Sequence, residues 1–179
     1  MNYAVPASNL EVLLDAEAIA RRVRELAREI SADYRGRPLR LIGLLKGAWV
    51  FLADLIRHLD LEITVDFLSI ASYGDHSRSS GVVRVTKDLD ESIEGLDVLV
   101  VEDILDTGHT FEYLRGVLEA HKPKSLKVVT LLDKPSRRVR PVHADYVGFT
   151  IPEVFVVGYG LDHAQQYRHL PDVRIWRAT

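Results

Sequence analysis

The sequence sets short, almost uninterrupted apolar runs between helical stretches, and this alternation constrains the fold more than any other feature. LRLIGLL at 39–45, VLVV at 98–101 and LKVVTLL at 126–132 lack the polar alternation of a strand with one wet face. Strands covered on both faces read this way, and such runs separated by helices build parallel sheets through βαβ units. The periodicity predicts helices over 15–34, 48–59 and 111–121. In the first, Asp15 is the expected N-cap, and Ile19, Val23, Leu26 and Ile30 recur at helical spacing before Gly36 and Pro38 stop it. Further strands are expected over 61–70, 82–89, 144–149 and 154–160, with a long polar loop over 71–81. Trp49 falls in an apolar helix and is expected in the core. The fold class is therefore α/β, with a mainly parallel sheet flanked by helices.

Composition narrows the function classes. A chain of 179 residues without repeats or linkers is one domain, and 47% apolar residues are ordinary for a folded one. The absence of Cys removes disulfides, thiolate metal sites and cysteine nucleophiles. A net charge of −3 weighs against a nucleic-acid binder. Arg137, Arg138 and Arg140 have no aromatic residue between them and read as a solvated face rather than an RNA patch. No run is long and apolar enough to span a membrane, and residues 1–22 show no leader pattern, so a cytoplasmic location is expected. The seven histidines show no ligand spacing, and neither a Walker A loop nor G-x-S-x-G occurs.

In open parallel sheets ligands bind beyond the carboxyl ends of the strands, and the richest such end is Val98 to Thr110, VLVVEDILDTGHT. The strand runs into Glu102 and Asp103, then Asp106-Thr107-Gly108-His109-Thr110 opens a helix. Gly108 permits a tight turn, the first helical amides are unpaired donors, and two threonine hydroxyls flank them. Together they make an anion cradle. Three acids conflict with an anion site unless the ligand also carries hydroxyls. A ribose phosphate resolves this: its phosphate takes the amides, and its diol takes carboxylates or a carboxylate-held Mg²⁺.

VVEDILDTGHT resembles the phosphoribosyl-diphosphate (PRPP) signature of the type I phosphoribosyltransferases. Further matches run from about residue 10 to the end and resemble the hypoxanthine/guanine branch: Leu45-Lys46-Gly47, Ser72-Tyr73-Gly74, Lys134, and the tail FVVGYGLD with Arg168. The resemblance implies a three-layer fold with a small hood. The expected core covers about 15–150 of the single 1–179 domain, and the hood combines the N-terminal segment with about 151–179. It also implies a homodimer or homotetramer acting on small-molecule substrates, with no nucleic-acid or membrane partner.

The resemblance further implies roles. Glu102, Asp103, Asp106, Thr107, Gly108, His109 and Thr110 would bind PRPP and its 5′-phosphate. Lys46, Gly47 and Arg168 would bind diphosphate, in a loop that carries a non-proline cis peptide in the family. Lys134, Phe155, Val156 and Asp162 would bind the purine, and Glu102, Asp103 and Asp162 would hold Mg²⁺. Asp106 would be catalytic, as a general base, and Ser72 and Tyr73 would belong to a lid. His109 departs from the Lys or Arg of many relatives, so PRPP affinity is expected to vary modestly between about pH 6 and 8. The implied reaction converts hypoxanthine or guanine to the nucleoside monophosphate. A xanthine-preferring relative and a non-catalytic RNA-binding regulator are the alternatives.

Overall fold

The computed structural model describes residues 10–73 and 82–177. The chain runs β1 (Glu11–Leu14), α1 (Ala16–Asp33), β2 (Leu39–Leu45), α2 (Trp49–Ile56), β3 (Ile63–Tyr73), β4 (Val82–Lys87), β5 (Asp97–Leu105), α3 (His109–Ala120), β6 (Ser125–Asp133), β7 (Tyr146–Thr150), β8 (Val156–Val157) and β9 (Val173–Ile175). A 3-10 turn spans Pro135–Arg137.

α1 begins where expected. The Asp15 carboxylate accepts from the Ala18 amide at 2.7 Å, and Ile19, Val23, Leu26 and Ile30 are buried. The central sheet has the order β4–β3–β2–β5–β6–β7, parallel throughout except for β4. Each buried strand feeds two cores. Leu39, Leu41, Leu99 and Val101 pack with Leu26 of α1 and Phe51 of α2. Ile42, Leu44, Val98 and Val100 pack with Phe111, Leu114 and Leu118 of α3. The result is three layers. The strand order reverses between β2 and β5, which opens a crevice at their carboxyl ends. A second, antiparallel sheet, β1–β9–β8, joins the segment before α1 to the tail.

Several expectations are corrected. Residues 71–73 are strand rather than loop, because β3 continues in register with β4, Ser72 facing Val83 and Tyr73 facing Val82. Residues 74–81, the rest of the expected lid, lie outside the described residues. VFVVGYG yields only the two-residue β8, because Gly158, Tyr159 and Gly160 all take positive φ and break the pleat. Trp49 is 47% exposed: Phe51, Leu52 and Leu55 form the buried face of α2, and the indole stands at its margin. β1 and β9 are too short to show a period and were not foreseen. Among the described residues no helix is long and apolar enough to cross a membrane.

Two predictions follow from the packing. Leu26 is fully buried between α1 and the sheet. Leu26→Ala should therefore cost about 2–5 kcal/mol in urea unfolding. At the other end of the sheet, buried Asp97 accepts from the Ser125 hydroxyl at 2.5 Å and the Lys124 ammonium at 3.1 Å. The Ser125 bond, helped by Lys124 and Arg37 and opposed by burial, holds its pKa below the ordinary 3.8. A depressed carboxylate stabilises the fold above its unfolded pKa, and that contribution fades as pH falls through the folded value. Asp97→Asn should thus be less stable than the wild type at neutral pH, with the gap closing below about pH 4. Unfolding midpoints measured across that range would show a constant gap if the bond contributes nothing.

Candidate active site

The site is assembled where β2, β5 and β6 end. The Leu45–Lys46 peptide bond that follows β2 is cis, as the resemblance implied. The next residue, Gly47, lies directly against the Asp103 carboxylate: a Cβ at this position would overlap its Oδ2 and Cγ. Any side chain here would displace that carboxylate. Asp103 Oδ1 also accepts from the Ile104 amide at 2.9 Å.

Glu102 and Asp103 are adjacent, half-buried acids. Burial, then the charge of Asp103, raises the Glu102 pKa well above the carboxylate range. Burial raises that of Asp103 as well, against the Ile104 amide and the Arg168 charge. Glu102 Oε2 is buried with no hydrogen-bond partner among the described residues. A hard divalent cation meets these conditions, since Mg²⁺ is commonly held by one or two carboxylates plus substrate oxygens. Asp162 stands apart from that pair. Its Oδ1 lies 2.6 Å from Arg168 Nη2, and its Oδ2 accepts from the Gln165 amide at 2.7 Å. Among the described residues no cluster of three or more His, Asp or Glu forms a complete metal cage.

The anion cradle follows β5. Gly108 caps α3 with φ of 89°, a left-handed conformation that glycine adopts without penalty. A cavity of about 240 Å³ opens here, lined by Glu102, Asp106, Thr107, Gly108 and Thr110. His109 points elsewhere. Its Nδ1 accepts from Arg140 Nε at 3.1 Å, and Arg140 Nε is 3.2 Å from Glu112 Oε2. A permanent cation thus stands beside the imidazole at the first turn of α3.

A second cavity of about 310 Å³ adjoins the first, and Ile104 and Asp106 line both. Lys46, Gly47, Asp103 and Arg168 line it, as do Lys134, Phe155, Val156 and Asp162. Lys134 is 5% exposed, and burial lowers its pKa, with attraction to Asp106 partly offsetting this. Phe155 is half exposed, an unusual position for a core residue but a natural one for a stacking platform. It is braced edge-on by Trp176 at 5.6 Å and His163 at 5.7 Å. Arg168 donates from Nη1 to the Gly160 carbonyl at 2.7 Å, which aims its guanidinium along the cavity.

Ile104 and Leu161 also line this cavity; both fall inside the quoted motifs, which assigned them no role. Of the three arginines after Lys134, Arg137 and Arg140 are exposed, as a solvated face requires, and Arg138 is not. Arg138 is largely buried, donating to the Val142 carbonyl at 2.8 Å and pairing with Asp133. Arg137 pairs with Asp106 at 3.0 Å, and Arg140 with His109. Ser72 and Tyr73 are placed only as backbone of β3.

Known proteins share this architecture. Residues 9–164 match the phosphoribosyl transferase domain family. The hypoxanthine-guanine phosphoribosyltransferase of Bacillus subtilis (strain 168) is 48% identical over 165 residues, covering 92% of each chain. The hypoxanthine phosphoribosyltransferase of Escherichia coli (strain K12) is 48% identical over 164 residues, 90% of this chain and 92% of the other. A solved hypoxanthine phosphoribosyltransferase from Staphylococcus aureus matches with a TM-score of 0.92 at 44% identity, over 99% of this chain and 97% of that one. Likeness over nearly the whole chain, in sequence and in backbone alike, makes this protein a member of the phosphoribosyl transferase domain family.

Proposed function

We propose that the chain transfers the phosphoribosyl group of PRPP to N9 of hypoxanthine or guanine, releasing diphosphate. The observation that carries this reading is the pair of adjoining cavities, one shaped by amides and hydroxyls, the other by Lys134, Phe155 and Arg168, with Asp106 between them. Thr107, Gly108 and Thr110, with the first amides of α3, would hold the 5′-phosphate. His109, its ring turned toward Arg140, would offer its backbone amide.

The C1–O bond to diphosphate breaks as the ribose takes on oxocarbenium character, and the N9 lone pair closes on C1. Lys46, the Gly47 amide and Arg168 would hold the charge that gathers on diphosphate, in a setting organised before substrate arrives. Glu102 and Asp103 would hold Mg²⁺, which when bound supplies further positive charge and fixes the ribose diol, and Asp162 would help hold a second Mg²⁺. Phe155 would stack on the purine, and the Val156 backbone would meet its edge. Lys134 would donate to the 6-oxo group. Asp106 would take the proton from N7 as N9 reacts. Ser72 and Tyr73 would help exclude water that otherwise hydrolyses PRPP.

Lys134 also sets the specificity. Adenine presents an amino donor where hypoxanthine and guanine present an acceptor. The buried ammonium would then be left unpaired, which selects strongly against adenine. Whether hypoxanthine or guanine is preferred turns on backbone contacts at position 2 of the base.

We read residues 1–179 as one catalytic domain with its core over about 15–150. The β1–β9–β8 sheet and the tail form the hood. We further infer a cytoplasmic homodimer or homotetramer, whose mass sedimentation would give.

Two experiments test the reading. In a spectrophotometric assay with PRPP, hypoxanthine or guanine should turn over only when Mg²⁺ is supplied, and adenine should be inert. Preference for xanthine would move the specificity. No turnover, with salt-dependent RNA binding, would replace the enzyme by a regulator. Asp106→Ala should lower kcat by roughly 10²–10⁴-fold while PRPP binding, measured by calorimetry, changes little. Unchanged kcat would remove Asp106 from the proton-accepting role.

A further inference from the structure

The turn after β6 places a cation that the proposed chemistry does not use. Lys134 is followed by the single 3-10 turn Pro135–Arg137, closed by the Arg137 amide donating to the Lys134 carbonyl at 3.1 Å. The Arg137 side chain reaches back to Asp106, which lines the same cavity as Lys134. There its Nε lies 3.0 Å from Asp106 Oδ1, and its Nη1 lies 3.5 Å from Glu153 Oε1. Asp106 Oδ1 is buried and makes no hydrogen bond of good geometry among the described residues, so Arg137 is the cation that compensates it. With Oδ1 buried, the exposed oxygen of this carboxylate is Oδ2. Lys134 is drawn toward Asp106 and Glu153 and repelled by Arg137. Two cations therefore compete for one carboxylate at the purine end of the cavity.

The competition matters because both Lys134 and Asp106 are the groups that would address the base. A direct Lys134–Asp106 pair would occupy the donor meant for O6 and the acceptor meant for the N7 proton together. We propose that Arg137 is a positioning residue that prevents this. It holds Asp106 by Oδ1, leaves Oδ2 open to the cavity, and keeps the Lys134 ammonium free through like-charge repulsion. Glu153 holds the guanidinium from its other side. The proposal rests on the reading of Asp106 and Lys134 given above. A guanidinium suits the task better than an ammonium, because its Nε and Nη1 reach two acids at once, whereas a lysine offers one nitrogen.

The test is kinetic. Arg137→Ala should lower kcat with hypoxanthine by roughly 10- to 100-fold, as expected when a reacting group is misplaced. The PRPP Michaelis constant should hold within about twofold, since the phosphate cradle is untouched. The thermal midpoint should also hold, because Arg137 is 43% exposed. Arg137→Lys should recover part of the loss. Adding Arg137→Ala to Asp106→Asn should cost nothing further, because the effect passes through the carboxylate.

Wild-type turnover with an unimpaired Arg137→Ala variant would overturn the proposal and leave the phosphoribosyltransferase reading intact. An equal loss in the Asp106→Asn background would overturn it too, by showing that Arg137 acts elsewhere. A wild type that converts no base would instead remove the reading on which the proposal stands.

Discussion

The contact between Gly47 and the Asp103 carboxylate is the constraint from which the rest of the site follows. It joins the ends of β2 and β5, the two strands between which the sheet reverses its order. Everything that binds at a parallel sheet's carboxyl edge must fit the gap opened by that reversal. Here the gap is narrow because backbone, not side chain, faces the acid. The Leu45–Lys46–Gly47 segment can therefore present its amides on one side of a ligand while β5 presents carboxylates on the other. Neither wall would serve alone: a purely basic cleft would not hold a diol or a divalent cation, and a purely acidic one would repel phosphate.

The site gathers charges of both signs. Glu102 and Asp103 are half-buried, and burial opposes their ionisation. Lys46, Lys134 and Arg168 stand around the same cavity. A ligand carrying both anionic groups and hydroxyls relieves both sets at once, and it does so with little reorganisation because partners inside the protein already hold several of the charges. Arg168 is fixed by Gly160 and Asp162, and Asp106 by Arg137. Such groups need not be reoriented from solvent as the reaction proceeds.

How much of this was legible in the sequence depended on the range of the cause. α1 was legible because its cap and its buried stripe are local, and β5 and β6 because burial on both faces leaves a run of apolar letters. The cavity at the start of α3 was legible because acids, threonines and glycine follow the strand in chain order. β1 and β9 were not, since three or four residues cannot display a period and their pairing spans most of the chain. The end of β3 was hidden because Ala71 and Ser72 look like loop residues, and only pairing with β4 makes them strand. The pairing of the exposed Arg137 with Asp106 was hidden because the two are remote in sequence and no motif joins them. Trp49 was misread because an apolar helix of eight residues still has a margin.

The small antiparallel sheet has a consequence for the order in which the protein is completed. Phe155 sits just before β8, and its carbonyl accepts from the Trp176 amide at 2.9 Å, next to β9. β9 in turn is the partner of β1, the first strand described. During synthesis from the amino end, the three-layer core has all its strands once residue 150 has emerged, yet β1 still lacks its neighbour. The surface on which a flat ring would rest is therefore secured last, by the same stretch that closes the longest loop in the molecule. A nascent chain would complete the cavity at the start of α3 well before the one that Phe155 lines.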